Sequence, residues 1–152
     1  MGVLFNSTKG GVQDNHTSNS TLSILGCLND ISVNWDSINF GNMDPNTNGN
    51  PGTGNSGKNY NISSYEWSCE LDVWINGTDF ENTTYNSVIS VGNMSWNKTG
   101  DVSSTNLTYD YDLVYSDFPK NTNLTTYYWF NLPSVYEGKY NGNVTIKTND
   151  TS

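Results

Sequence analysis

Few residues in this chain have the chemistry for turnover, and their settings point away from it. The only histidine, His16, sits in the polar stretch Asn15-His16-Thr17. A catalytic imidazole needs an orienting partner and a rigid frame, and nothing nearby supplies either. Glu66 with Glu70, and Asp110 with Asp112, are carboxylate pairs of the kind glycoside hydrolysis uses. Each pair falls on one face of a strand-like segment, where carboxylates are ordinary solvated residues. The glycine-rich stretch "PGTGNSGK" (51–58) lacks the strand–loop–helix setting and the GK[ST] ending of a phosphate loop. Asp44-Pro-Asn46-Thr-Asn48-Gly49 matches the first half of a calcium loop, whose oxygens converge from alternate positions. The twelfth position is Asn55 where a bidentate Glu would close the shell, so a plain turn is the favoured reading. Calcium on Asp44, Asn46 and Asn48 is the alternative, and no other cofactor is expected.

Cys27 and Cys69 lie in apolar, strand-like segments. Two cysteines and one remote histidine make a poor zinc site, because zinc takes four close ligands. In an oxidising compartment a disulfide between them is the expectation. It would close a loop of about 42 residues and stabilise the fold by roughly 4 kcal/mol in the chain-entropy model.

The balance of charge narrows the partners. Six Lys, no Arg and fifteen Asp plus Glu give a net charge of −9. Nucleic acid and anionic membranes both require clustered cations, so neither is expected. No apolar run approaches the ~20 residues of a membrane helix. A type IV pilin, with its long apolar N-terminal helix, is therefore disfavoured, and no signal peptide is visible. Ten Tyr, five Trp and five Phe indicate a folded domain and not a disordered chain.

The most frequent motif is Asn-x-Ser/Thr. It begins at Asn6, Asn15, Asn19, Asn61, Asn76, Asn82, Asn93, Asn97, Asn106, Asn123, Asn143 and Asn149. About six would arise by chance at this composition. The excess points to an extracellular protein carrying N-linked glycans, which are bulky and must face solvent.

The elements that position these residues read as strands. Residues 1–20 are an N-terminal segment: an apolar tip, Val3-Leu4-Phe5, then a flexible polar linker. Residues 21–152 form the folded domain. A strand is expected around Leu22–Cys27, and another over Ile31, Val33 and Trp35, with a bulge near Asp36. Residues 41–60 contain little but turn formers and are read as a loop. From 65 to 76 the odd positions Tyr65, Trp67, Cys69, Leu71, Val73 and Ile75 form an apolar face. That parity puts Trp35 and Trp67 in the core and leaves Trp74 as the exposed aromatic. Shorter strands follow at 87–91 and 93–96. Leu107, Tyr109, Tyr111, Leu113 and Tyr115 alternate with Thr108, Asp110, Asp112 and Val114. "TYYWFNL" (126–132) is apolar on both faces, as a central strand is, and Pro133 ends it. Tyr140, Val144 and Ile146 share one face of the last strand. No helix-period segment occurs. The expected fold is all-β, an antiparallel immunoglobulin-like or jelly-roll sandwich.

Two stretches carry a resemblance. "INFGNMDPNT", followed after an insertion by "ELDVWINGTDF", resembles camelysin/TasA-type biofilm fibre proteins and archaeal bundling pilins. "LPSVYEGKYNGNVTI" is similar to the last hairpin of many archaeal and bacterial surface immunoglobulin-like modules. Together they cover about a third of the chain. The resemblance implies a sandwich fold and a non-enzymatic surface role; in the fibre family, subunits exchange an N-terminal strand. The expectation is an extracellular, cell-surface structural protein that self-associates into a homopolymer, with Val3, Leu4 and Phe5 as its assembly segment. The alternative is a monomeric adhesion or carbohydrate-binding module of a larger cell-surface protein.

Overall fold

The computed structural model describes residues 29–101 and 103–149, together with the backbone of Asp150 and of two earlier strands. In chain order the strands are β1 (Gly2–Phe5), β2 (Ser18–Thr21), β3 (Ile31–Val33), β4 (Thr47–Pro51), β5 (Asn61–Ser64), β6 (Leu71–Gly77) and β7 (Phe80–Asn82). They continue with β8 (Ser87–Ile89), β9 (Met94–Asn97), β10 (Thr105–Asn106), β11 (Asp112–Phe118), β12 (Asn123–Thr125), β13 (Tyr127–Leu132) and β14 (Val144–Asp150). Every pairing is antiparallel, and the only helical turn among the described residues is Val91–Asn93. The protein is all-β, as the absence of helical periodicity predicts.

The strands join in the orders β10-β9-β13-β4, β11-β6-β14 and β12-β5-β3, with two ribbons, β7-β8 and β1-β2. In the second ribbon Gly2 to Phe5 pair residue for residue with Thr21 to Ser18, so the polar segment read as linker ends in a strand. The expected strand at Leu22–Cys27 lies outside the described residues.

One core serves most of these sheets. β6 contributes Leu71, Val73 and Ile75, all fully buried, and its neighbours β11 and β14 run along its two sides. From β13 come Tyr128, Phe130 and Leu132; from β9, Met94 and Trp96; from β5, Ile62. Fully burying an aliphatic or aromatic side chain of this size stabilises the fold by about 1.5–3 kcal/mol. β13 is central in its sheet, between β9 and β4, as its two apolar faces predict. Its outer face carries Tyr127 and Trp129, which stack on each other at 6.4 Å. Trp35 also meets expectation: it packs edge-on against Tyr60 at 5.8 Å and beside Tyr128.

Four expectations are corrected. First, the apolar alternation from 65 to 76 is not one strand. Ser68 Oγ accepts the Tyr65 N–H at 2.9 Å, and the Ser68 N–H returns to the Tyr65 carbonyl at 3.1 Å, closing a turn between β5 and β6. Trp67 rides on that turn, 57% exposed, and is not a core residue. Second, Trp74 is not the exposed aromatic: it is half-buried on β6, and its indole N–H is sealed from solvent without a partner. Third, the stretch 41–60 contains a strand. β4, of sequence TNGNP, pairs with β13 through its backbone and through Asn50 Nδ2, which donates to the Phe130 carbonyl at 3.1 Å. Strand propensity is a weak preference that tertiary pairing overrides. Fourth, Leu113, Tyr111 and Tyr109 face outward while Val114 and Phe118 are buried. The register of β11 against β6 shifts twice, and Asp117 takes a left-handed φ of 51°. The chain bends at Tyr109–Asp110 between β10 and β11, so the parity set by buried Leu107 does not carry into β11, and the bulges shift it again after Leu113.

Candidate functional site

Two grooves run between edge strands. β3 ends one sheet and β14 ends another, and between them lies a groove of about 310 Å³ lined by Ile31, Val33, Trp35, Asp36, Val144 and Ile146. Five of those six residues are apolar. An edge strand presents unpaired N–H and C=O groups, so this groove combines apolar side chains with backbone hydrogen-bonding capacity. A second groove, of about 480 Å³, is walled by Trp96, Lys98, Thr105, Leu113 and Val114, between the edge strands β10 and β11. There Lys98 Nζ stands 5.2 Å from the centre of the Tyr115 ring. The side chains of the expected assembly segment, Val3, Leu4 and Phe5, lie outside the described residues, although their backbone is strand β1.

Aromatic rings pair off near the surface. Tyr65 and Trp67 stack with centroids 5.0 Å apart and planes 5° from parallel. Tyr85 and Tyr136, 57% and 67% exposed, stack at 5.7 Å. The sequence gives no periodic cue to the second pair, because the two rings come from separate loops.

The carboxylates are dispersed. Glu66, Glu70 and Asp110 are exposed, and half-buried Asp112 accepts the Thr108 hydroxyl at 3.0 Å. Among the described residues no group of three or more His, Cys, Asp or Glu is placed to hold a metal. Asp79 has the most specific surroundings. Its Oδ1 accepts the Tyr109 hydroxyl at 2.5 Å and the Val91 N–H at 2.8 Å. The tyrosine hydrogen bond, then the backbone one, holds the Asp79 carboxyl below its usual range. The same bond raises the Tyr109 phenol.

The expected calcium ligands are spread along a turn and a strand. Asp44, Asn46 and Asn48 are all exposed. Asn46 has φ 59° in the turn after Pro45, the left-handed position that a type II turn requires at its third residue. Asn48 belongs to β4, and the Asn55 side chain is bonded to the main chain of Tyr128. A turn at Pro45–Asn46 and the pairing of β4 with β13 account for the described contacts of this segment.

Cys69 is 2% exposed and is not a free thiol. Cys27 lies outside the described residues, as do His16, Asn6 and Asn15 and the side chain of Asn19.

The other nine sequons differ sharply in surroundings. Asn106, Asn123, Asn143 and Asn149 are exposed, whereas Asn61, Asn76, Asn93 and Asn97 are half-buried and Asn82 is buried at 3% exposure. Asn61 Nδ2 donates to the Lys58 carbonyl at 3.0 Å, Asn76 Nδ2 to that of Tyr109 at 3.0 Å, and Asn93 Nδ2 to that of Ser90 at 3.2 Å. No family model matches the chain, and neither a curated protein nor a solved structure does.

Proposed function

We propose that this chain is a secreted, N-glycosylated structural protein with an immunoglobulin-like or jelly-roll sandwich fold, a subunit of a cell-surface filament or coat. The observation that carries the reading is the groove between the edge strands β3 and β14, lined by Ile31, Val33, Trp35, Val144 and Ile146 together with Asp36. Val3, Leu4 and Phe5 of a neighbouring copy are its occupant. Within one chain β1 pairs with β2, and a two-stranded ribbon keeps an outer edge on each strand. β1 therefore retains a row of backbone groups for the next molecule while its apolar residues enter the groove. Each copy gives one segment and receives one, so the contact runs head to tail and propagates. The sequon excess and the acidic surface support an extracellular setting, and the likeness to fibre subunits supports strand exchange.

Negative-stain microscopy and light scattering of the full chain and of a chain lacking residues 1–8 test this. Full-length protein should form filaments, and the shortened protein should remain folded and unassembled. Identical filaments from both would reject donation by this segment, and a monodisperse full-length monomer at high concentration would reject the fibre reading.

A monomeric adhesion or carbohydrate-binding module is the second reading, favoured by the stacked pairs Tyr65–Trp67, with Trp67 exposed, and Tyr85–Tyr136, both exposed. Flat aromatic faces accept the C–H face of a sugar ring. Titration of Trp67 fluorescence with oligosaccharides separates the two, since only this reading predicts a saturable change lost in Trp67→Ala.

A further inference from the structure

We infer that the sequons of the folded domain divide by the surroundings of the amide nitrogen: Asn106, Asn123, Asn143 and Asn149 are glycan acceptors, whereas Asn82 and Asn97 are structural residues closed to glycosylation. This deepens the glycoprotein reading and rests on it.

Asn82 and Asn97 do the same local work. Asn82 Oδ1 accepts the N–H groups of Thr84 at 3.0 Å and Tyr85 at 3.3 Å. Asn97 Oδ1 accepts those of Thr99 at 3.2 Å and Gly100 at 2.9 Å. Both are Asx turns, in which an Asn side chain captures the backbone two and three residues on. The spacing Asn-x-Thr is common to this turn and to the sequon. A chain that builds turns from Asn and Thr therefore holds some sequons that are turns and not glycan acceptors.

The nitrogens are closed in different ways. Asn82 Nδ2 is sealed from solvent without a hydrogen-bond partner. Gly138, at φ +149°, covers it so closely that a Cβ there would stand 2.3 Å from Nδ2. A position that rejects a methyl group rejects a sugar. Asn97 Nδ2 directs its hydrogens at the carbonyls of Asp101, 2.8 Å away, and Ser103, 3.0 Å away. A glycosidic carbon bonded at about 1.45 Å along either direction would collide with the carbonyl oxygen. Glycan attached to either residue before folding would thus have to be expelled or would block the native turn. The four acceptors are exposed, and their side-chain amides make no hydrogen bond among the described residues. A glycan there projects into water at no cost to the fold.

The test expresses the full chain for secretion in a eukaryotic host that installs N-glycans, followed by glycopeptide mapping of the soluble, folded fraction. Asn106, Asn123, Asn143 and Asn149 should be occupied, with Asn82 and Asn97 bare. Glycan on Asn82 or Asn97 in most molecules, or four bare surface sites, would overturn the division. Removing the sequons without touching the asparagines gives a second readout. Thr84→Ala should leave the glycan mass unchanged, and Thr125→Ala should remove one glycan; loss of a glycan in Thr84→Ala contradicts the inference. In protein from a host without N-glycosylation, Asn82→Gln and Asn97→Gln should lower the melting temperature clearly, and Asn123→Gln and Asn143→Gln should not. Equal shifts in all four also overturn it. If the natural source yields an unglycosylated chain while the host pattern holds, the extracellular reading fails and the division stands.

Discussion

The side chain of Asn55 bonds the main chain of Tyr128 on both sides: Nδ2 donates to its carbonyl at 2.7 Å, and Oδ1 accepts its N–H at 3.0 Å. A side-chain amide thereby takes the place of a strand peptide beside β13, just beyond the end of β4 at Pro51. Tyr128 is fully buried; its carbonyl also accepts the Gly52 N–H at 2.8 Å, but its own N–H relies on Asn55 and has no water to fall back on. Asn55→Ala should cost about 1–3 kcal/mol, the penalty for an unsatisfied buried polar group. Asn55→Asp should cost more, since it removes the donor and sets a carboxylate against a carbonyl oxygen. Urea unfolding at neutral pH checks both, and an Asp variant as stable as the parent would refute the role.

The same contact bears on calcium. With Asn55 engaged and Asp44, Asn46 and Asn48 serving turn and strand, excess chelator should leave the thermal melt unchanged. Asp44→Ala should be equally insensitive to chelator. A chelator-induced fall in melting temperature that Asp44→Ala abolishes would restore the calcium reading.

The Asp79–Tyr109 bond makes a prediction about pH at two ends of the scale. Asp79 has a folded pKa below its ordinary value of 3.8. Its contribution is thus fully present above that value and is lost as pH falls through the lowered one. Tyr109 is raised above its ordinary 10.0, so its contribution is present below that value and is lost as pH climbs through the raised one. Both groups are at the surface, and the effect on stability is small. Nuclear magnetic resonance titration of Asp79 should report a lowered midpoint that rises in Tyr109→Phe without reaching the ordinary value, since the Val91 N–H still donates to the carboxylate. An unchanged midpoint in that variant would show that the bond does not form in solution.

Gly77 closes β6 against the core. A Cβ there would stand 2.4 Å from Leu107 Cδ2 and 3.1 Å from Val91 Cγ2. Gly77→Ala should destabilise by about 1–3 kcal/mol through overpacking. Gly77→Ala with Leu107→Ala should recover part of that loss, because the second change opens the space the first requires. Denaturant melts of both variants decide it; an additive double variant would place the strain elsewhere.

A disulfide between Cys27 and Cys69 is the outstanding covalent proposal, and buried, bonded Cys69 is consistent with it. Non-reducing peptide mapping should recover the two cysteines in one linked fragment. Reduction should lower stability by roughly 4 kcal/mol in the chain-entropy model. Recovery of two alkylatable thiols from native material would end the proposal.

The sequence by itself determined the class of the fold and much of the core. Period-two alternation at Leu71, Val73 and Ile75 and the two-sided apolar run of β13 were legible because burial selects residue type directly. Where side chains perform the work of the backbone, the pattern was silent. β4 has no apolar stripe and exists because Asn50 and the strand backbone find β13 some eighty residues later in the chain. Trp67 alternates correctly yet sits on a turn, because alternation cannot distinguish a strand from a bend closed by Ser68. The bend at Tyr109–Asp110 likewise broke the parity between buried Leu107 and exposed Leu113, and leaves Val114 as the buried residue of β11. The sequons carry the same lesson. Asn-x-Thr specifies both a glycan acceptor and an Asx turn, and only the tertiary neighbours of each amide nitrogen, Gly138 over Asn82 or water around Asn123, decide which one it is.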